Sequence, residues 1–543
     1  MKGKTLQFLF VCLVLGIGQI TGSYAAEVVV QLEINAEVLS WGHSVDISED
    51  TFIASNPGYT GNGGGAHIYV LNKKNEWEVQ AKFDSEAGFR TWFGWDVSLE
   101  EDTAVIGAKE DGGRIKAGER EGVGHGPGFV YVYVRNEEGE WSEQALFTSS
   151  DKENDDSFGT AVSLSGDTVA VGSPLDDDAG SSSGSVYIFV RNGDKWTEQT
   201  KITAADAAEG DRFGFDVSLD GNTLIVGAPL DDDAGSKSGA AYVFVRSGEA
   251  WTQQAKLLAA DLDKGDNMGV SVSLSKSAAI VGSYWDDDAG SKSGSAYIFA
   301  RSGDTWTQQA KLTASDARAG DNFGFSVAIN ANRALVGAPL KAGKDQAAGT
   351  VYAFLRIGSE WKEQKTSVPK DVEKGEDHGP TSGDNFGNAV ALADRADFAI
   401  VGARFDTHEK GAAQGSVYIY DTKADLNIAY PVDPSSSLVT TTLGQIKRSA
   451  LLQNFPNPFN PETWMPYVLA TESPVTIGIY NVQGQLVRQL DFGVQESGGY
   501  VSRESAGYWD GKDQAGEAVS SGIYFYQLKA GTFEATRRMV ILK

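Results

Sequence analysis

The chain has 543 residues, with 74 Asp and Glu against 46 Lys and Arg, a formal net charge of −28. A surplus of this size repels phosphate backbones, which argues against a nucleic-acid partner, and it favours cations or basic partners. The single cysteine, Cys12, lies inside an N-terminal apolar run, so the rest of the chain has no thiol for a disulfide or a metal.

That N-terminal run follows the basic pair Lys2 and Lys4, spans residues 8–17, and is followed by Ser23, Ala25 and Ala26. This is the pattern of a secretory signal over residues 1–25, cleaved after Ala25 or Ala26. The run is short for a bilayer span and no later segment is longer or more apolar, so the expected product is secreted or displayed on the cell surface, not integral to a membrane.

From residue 26 onward one pattern recurs seven times. It reads Gly-Asp-x-Phe-Gly-x-x-Val, then an apolar run ending near Gly-Ala-Pro, then Gly-Ser-x-Tyr-x-Phe. Its anchoring glycines are Gly42, Gly94, Gly159, Gly214, Gly269, Gly324 and Gly387, and the middle four are spaced by 55 residues. A fixed period of this size means an array of equal supersecondary units. In the unit at residues 323–365, residues 323–329 alternate, 333–338 are continuously apolar, 349–355 alternate with aromatics, and 361–365 are polar. These predict four antiparallel strands: one near a crowded centre, one covered on both faces, one half-buried and one at a charged edge. Seven such units make a β-propeller.

The fourth strand starts with a tryptophan at Trp77, Trp141, Trp196, Trp251, Trp306 and Trp361, six times and not seven. Residues 28–34 form an extra strand-like run before the first repeat. This strand is expected to complete the last blade and close the ring. The aspartates before each Phe-Gly, such as Asp156 and Asp211, are expected to cap turns.

Phe-Gly and Gly-Ala-Pro at this spacing resemble the FG-GAP repeat of integrin α-subunits, and Trp-x-x-Gln-x-Lys-Leu with Asp-Asp-Asp-Ala-Gly-Ser resembles bacterial secreted forms. The resemblance covers residues 27–421 and implies an extracellular adhesion or ligand-binding propeller. The integrin calcium loop, Asp-x-Asp-x-Asp-Gly between first and second strands, is missing here, since residues 219–223 make only a short link. The acidic loop lies one connection later. Asp176 and Asp178, Asp231 and Asp233, and Asp286 and Asp288 therefore form an acidic arc that either gathers calcium or stands as solvated turns.

The other repeats break the pattern on the same face. Tyr59 lies in one irregular loop, Phe89, Arg90 and Trp92 precede the second repeat, His125 sits in a long loop, His378 precedes the seventh repeat, and Arg404, Phe405 and His408 follow its second strand. Aromatic and arginine side chains on loops of a rigid scaffold suit recognition of a protein or glycan ligand. No nucleophile motif, phosphate loop or metal-spaced histidine pair accompanies them, so the chain does not read as an enzyme. Two alternatives stay open: an extracellular propeller enzyme acting on polysaccharide or peptide, and a cation-stabilised structural surface component.

Residues 422–451, with Pro431, Pro434 and runs of Ser and Thr, read as a linker. Residues 452–543 carry Asn-Pro-Phe-Asn-Pro, strand-like runs at 474–480, 486–490 and 522–528, and Gly/Asp turns, which predict a small β-sandwich. This segment resembles the type IX secretion C-terminal sorting domain and the immunoglobulin-like domain of the flagellar hook-capping protein, through Ile-Tyr-Asn-Val-x-Gly, Ser-Gly-Ile-Tyr-Phe-Tyr and the final Arg-Arg-Met-Val-Ile-Leu-Lys. The resemblance implies outer-membrane secretion machinery as a partner. The whole is expected to be all-β: a seven-bladed propeller closed by its N-terminal strand, then an immunoglobulin-like sandwich.

Overall fold

The computed structural model describes residues 30–33, 41–58, 64–72, 76–85, 91–111, 126–364 without 152, 331 and 343–347, 383–393, 398–406, 415–421, 428–429, 449–451, and 462–541 without 484, 497, 501–505 and 532. The chain divides into two compact units, residues 1–440 and 441–543. All regular structure among the described residues is β.

The first unit repeats one antiparallel four-stranded sheet. The fourth sheet is representative: Val217–Asp220 innermost, then Thr223–Ala228, Ala240–Ser247 and, outermost, Ala250–Leu257. The second strand, Thr-Leu-Ile-Val-Gly-Ala, is buried at every residue because sheets cover both its faces, which accounts for its unbroken apolar sequence. Four-stranded sheets of the same order start at Val45, Phe93, Ala161, Val272 and Ser326. The last sheet is assembled from both ends of the unit. Phe386–Leu392, Phe398–Ala403 and Ser416–Asp421 are joined by Val30–Glu33, which pairs antiparallel with Ser416–Asp421 in the register Val30 to Ile419.

Links between sheets repeat at three radii. At the outside, each tryptophan indole after that of Trp77 donates to the glutamine three residues past the preceding sheet's tryptophan, as Trp141 to Gln80 at 2.8 Å, Trp196 to Gln144 at 2.8 Å and Trp306 to Gln254 at 3.0 Å. Midway, Arg246 and Arg301 donate to Thr168 and Thr223 of the preceding sheet. Innermost, short polar side chains accept the backbone N–H groups of the next inner strand: Ser163 from Leu219, Ser218 from Leu274 and Ser273 from Ile329, at 3.0 to 3.1 Å. The first and last sheets meet in one core that joins Val45, Ile47 and Phe52 to Ile400, Val417 and Ile419, with Asn388 donating to the His43 carbonyl at 2.9 Å.

The Phe-Gly and Gly-Ala-Pro signatures now have a physical reading. Phe213 is fully buried and packs edge-on against Tyr242 of its own sheet, with centroids 5.5 Å apart. The glycine of each Gly-Ala strand lies against the Phe-Gly glycine of the next sheet. A Cβ on Gly227 would overlap the carbonyl of Gly269, so neither backbone has room for a side chain. The aspartates before Phe-Gly do cap turns: Asp211 accepts the Ala208 N–H at 2.8 Å and Asp266 that of Asp263 at 2.7 Å.

The second unit is a small β domain. Ser473–Asn481 lies between Leu486–Gln495 and Gly522–Ala530, and Phe533–Ile541 pairs beyond the latter. Trp509, Tyr526, Ile477 and Met539 are fully buried at its core. Ala450–Leu451, expected within the linker, instead pairs with Tyr467–Leu469 because buried Leu451 completes this core, and its carbonyl accepts from Arg537 at 2.5 Å.

Backbone contact at the paired glycines predicts a position-specific cost. Gly227→Ala should destabilise the protein by about 3 kcal/mol through overpacking against immovable backbone. Gly221→Ala, at a turn with φ +59° and open space around it, should cost only about 1 kcal/mol. Urea midpoints of the two variants check the difference.

Candidate functional site

In an up-and-down sheet, the start of the inner strand and the end of the second strand emerge on the same face. That face carries both the aspartate loops and a cluster at the mouth of the central channel.

Each aspartate loop closes on a lysine. Asp151, Asp176 and Asp178 bring carboxylate oxygens within 4.8 Å of one another, and Lys201 from the outer strand places its ammonium among them at 2.8, 2.8 and 2.5 Å. Lys256 does the same with Asp206, Asp231 and Asp233, and Lys311 with Asp261, Asp286 and Asp288. The third-strand tyrosines add a proton donor, as Tyr242 to Asp231 at 2.6 Å and Tyr297 to Asp286 at 2.7 Å. Burial alone would raise the Asp151 carboxyl, but hydrogen bonds from Lys201 and Tyr187 hold it below its ordinary range. Burial opposes the charge on Lys201, and the surrounding carboxylates more than offset it, so its pKa is raised. The aspartates that sequence reads as either calcium-gathering or solvated turns thus close on a cation from the chain itself. In the sixth repeat the arrangement is inverted: Lys341 stands in the loop and reaches Asp316 at 3.0 Å and Asp321 at 2.9 Å.

At the channel mouth, Trp92 and Trp95 meet edge-to-face with centroids 5.4 Å apart. Lys109 lies over both rings, 3.2 Å from the Trp95 centroid and 5.4 Å from that of Trp92. The Trp92 indole donates to Glu110 at 2.8 Å. The His43 ring packs on Trp95 at 4.7 Å. Burial, then the charges of Arg404 and Lys109, push the His43 pKa down to about 3, so the imidazole is neutral. Burial and the nearby charge of Arg212 bring Lys109 down to about 8, against the opposing pull of Glu110. Arg404 lies over the ring of Phe405 at 4.7 Å.

Behind the mouth lies a cavity of about 320 Å³ lined by inner-strand residues including Ser44, Asp96, Asp216, Ser271 and Ser273. This is within the usual size of small-ligand pockets, ~300–1,000 Å³. Asp96 accepts from Ser44 at 2.7 Å and from the Val162 N–H at 2.8 Å. Asp216 accepts from the N–H groups of Val217 and Val272 at 2.9 and 2.7 Å. Burial raises Asp96 to about 6, and burial with the charge of Asp96 raises Asp216 to about 7.

Of the ligand residues expected from sequence, Trp92, Arg404 and Phe405 are described; Trp92 and Arg404 border this mouth, and Phe405 lies against Arg404. Tyr59, Phe89, Arg90, His125, His378 and His408 lie outside the described residues. Sequence reasoning missed His43, Trp95, Lys109, Arg212, Asp96 and Asp216. The residue after Phe-Gly varies among His43, Trp95, Thr160, Phe215, Val270, Phe325 and Asn388, so comparing repeats at this position does not single out His43 or Trp95.

Six segments, residues 77–133, 141–189, 196–244, 251–299, 306–354 and 361–420, match the family described as FG-GAP repeat. Each runs from an outer-strand tryptophan to the third strand of the following sheet. Residues 460–533 match the family described as FlgD Ig-like domain. No curated protein matches the chain.

Three outcomes follow from the electrostatics. Lys256→Met leaves Asp206, Asp231 and Asp233 without their ammonium and should cost about 2–3 kcal/mol, less than for a wholly buried pair because Asp206 and Asp233 reach solvent. Calcium or chelator should leave the wild-type melting temperature unchanged, as calorimetry would show. Asp216 holds its proton to about pH 7 when folded and releases it near 3.8 when unfolded. The folded state therefore binds more protons across that window, and the contribution of Asp216 to stability falls as pH rises through it. Thermal melts of Asp216→Asn and wild type between about pH 4 and about pH 8 should show the variant gaining on wild type as pH increases.

Proposed function

The chain belongs to the FG-GAP repeat family, and from that premise we propose that it is an exported ligand-binding protein, a seven-bladed propeller whose recognition site is the mouth of its central channel. The observation that carries this reading is the cluster of Trp92, Trp95, Lys109 and His43 above a polar cavity. Aromatic surface with nearby cations and a walled pocket is the composition of a binding anchor. A neutral imidazole with a pKa of about 3 is a weak general base, which favours binding over catalysis.

The extracellular setting is supported by the N-terminal pattern of residues 1–25 and by the acidic surface. The C-terminal unit, which matches the FlgD Ig-like domain and resembles sorting domains in its end motifs, is proposed to direct passage across the outer membrane. The ligand is an extracellular protein or glycan.

The test is a glycan and matrix-protein binding array with the full chain. Trp92→Ala combined with Lys109→Ala should weaken the array ligand by roughly tenfold or more, while truncation after Leu452 should retain the protein inside the outer membrane. Unchanged binding by the double variant would place recognition elsewhere, and surface display of the truncated chain would remove the sorting role.

A further inference from the structure

Each inner strand starts from the same turn, with left-handed residues on either side of the phenylalanine: φ is +54° at Trp92 and +85° at Gly94, +58° at Arg212 and +86° at Gly214, and +56° at Asn322 and +88° at Gly324. Asparagine adopts such a φ more readily than tryptophan or arginine. Because the turn repeats, the residue after Phe-Gly takes the same place in every sheet, and in all seven sheets it lines the channel cavity. Trp95, Phe215 and Phe325 give this upper ring its aromatic side chains, with the neutral imidazole of His43 against Trp95.

One residue further along the strands, the lining turns polar. Ser44 accepts the Val97 N–H of the next sheet at 3.3 Å, and Ser271 accepts that of Val327 at 3.2 Å. Asp96 and Asp216 make the same link, to Val162 at 2.8 Å and to Val272 at 2.7 Å. Serine therefore suffices for the link between sheets, and the two carboxylates bring charge that it does not require. The buried loop aspartates close on ammonium groups, Asp176 on Lys201, Asp231 on Lys256 and Asp286 on Lys311. Among the described residues that line the cavity none is Lys or Arg, and neither Asp96 nor Asp216 forms an ion pair. Asn388, 6% exposed and in the same lining, donates its Nδ2 to the His43 carbonyl and leaves its Oδ1 without a donor. A buried acceptor is ordinarily satisfied. Two carboxylates and an amide oxygen beneath aromatic rings suit a ligand that brings positive charge, N–H donors and hydrocarbon together. A primary alkylammonium has three N–H donors, is attracted to ring faces and carries an apolar stem, whereas a metal ion gains nothing from the rings.

We propose that the channel cavity binds a small alkylammonium ligand, its nitrogen facing Asp96 and Asp216 and its hydrocarbon against Trp95, Phe215 and Phe325. The ligand occupies the cavity beneath the mouth, whether the mouth itself takes a protein or a glycan. Burial, then the charge of Asp96, raises Asp216 to about 7, and a bound cation relieves that repulsion.

The test is calorimetric titration of the full chain with cadaverine, its N,N′-diacetyl form and calcium. Cadaverine should bind, the uncharged diacetyl form about tenfold or more weakly, and calcium should not displace the amine. The titratable groups lining the cavity are His43, Asp46, Asp96 and Asp216; the inner strands of the third, fifth, sixth and seventh sheets contribute none. With His43 neutral above about 3, Asp96 at about 6 and Asp216 at about 7, affinity for the amine should rise between about pH 5 and about pH 8, where the amine itself stays charged. Asp96→Asn and Asp216→Asn should each weaken cadaverine by about tenfold or more. Thermal melts run alongside separate lost binding from lost fold, and the acetylated ligand and the pH series use the wild-type chain. Equal binding of the amine and its diacetyl form, displacement by calcium, affinity that falls as pH rises, wild-type affinity in a folded Asp96→Asn or Asp216→Asn, or no binding of cadaverine would each overturn the proposal. None of these outcomes bears on the mouth, whose role is read separately from the Trp92 and Lys109 double variant.

Discussion

An inner strand beside an open channel presents a row of backbone N–H groups with no neighbouring strand to accept them, and each left unsatisfied would cost about 1–3 kcal/mol. Here the next strand is replaced by side chains. Ser98 accepts from Leu164, Ser163 from Leu219, Ser218 from Leu274 and Ser273 from Ile329, so every donor belongs to one sheet and its acceptor to the sheet before. The alternating small and polar residues of the inner strands follow from this requirement. Where Ala161 interrupts the series, Asp216 accepts the orphaned Val217 N–H within its own sheet. Toward the closing sheet Ala328, Ala389 and Ala391 leave the pattern, and other contacts serve: Ser326 donates to Gly387 and Asn388 to His43.

The same economy governs charge. The acidic surplus is distributed as carboxylates grouped around ammonium groups, so the aspartate loops are ordered by their own lysines. When the sixth repeat moves the lysine into the loop, as Lys341, two aspartates still close on it. The site at the channel mouth departs from this rule, because Lys109 meets indole where the outer-strand lysines meet three carboxylates.

Strand number, order and the fully buried second strand were legible because period-two alternation and unbroken apolar runs are local in sequence. The extra strand at Val30–Glu33 was legible from the missing seventh tryptophan. The lysine that serves each aspartate loop was not, although both parts were visible. Asp231 and Lys256 are joined only when the third strand returns antiparallel, and strand periodicity does not say which loop the outer strand's end will reach. Trp92 and Arg404 were legible as departures from a repeat. His43, Trp95 and Lys109 were overlooked because they occupy ordinary strand-end positions, where only the convergence of seven inner strands brings them onto one channel.

That convergence explains why departures gather at the mouth. The glycine pairs, such as Gly227 with Gly269, hold adjacent backbones at a distance no side chain could enter, so the inner strands cannot shift to accommodate a substituted neighbour. Variation is confined to residues whose side chains leave the backbone toward the channel or the face. The residue before Phe-Gly is one of these, and its left-handed geometry is imposed by the repeat whatever residue stands there. Asparagine satisfies that geometry with little strain, whereas Trp92 and Arg212 adopt it at a cost. Because the rigid backbone fixes where the side chain starts, the strained Trp92 sets its indole against Trp95 and Lys109, a contact that asparagine could not supply.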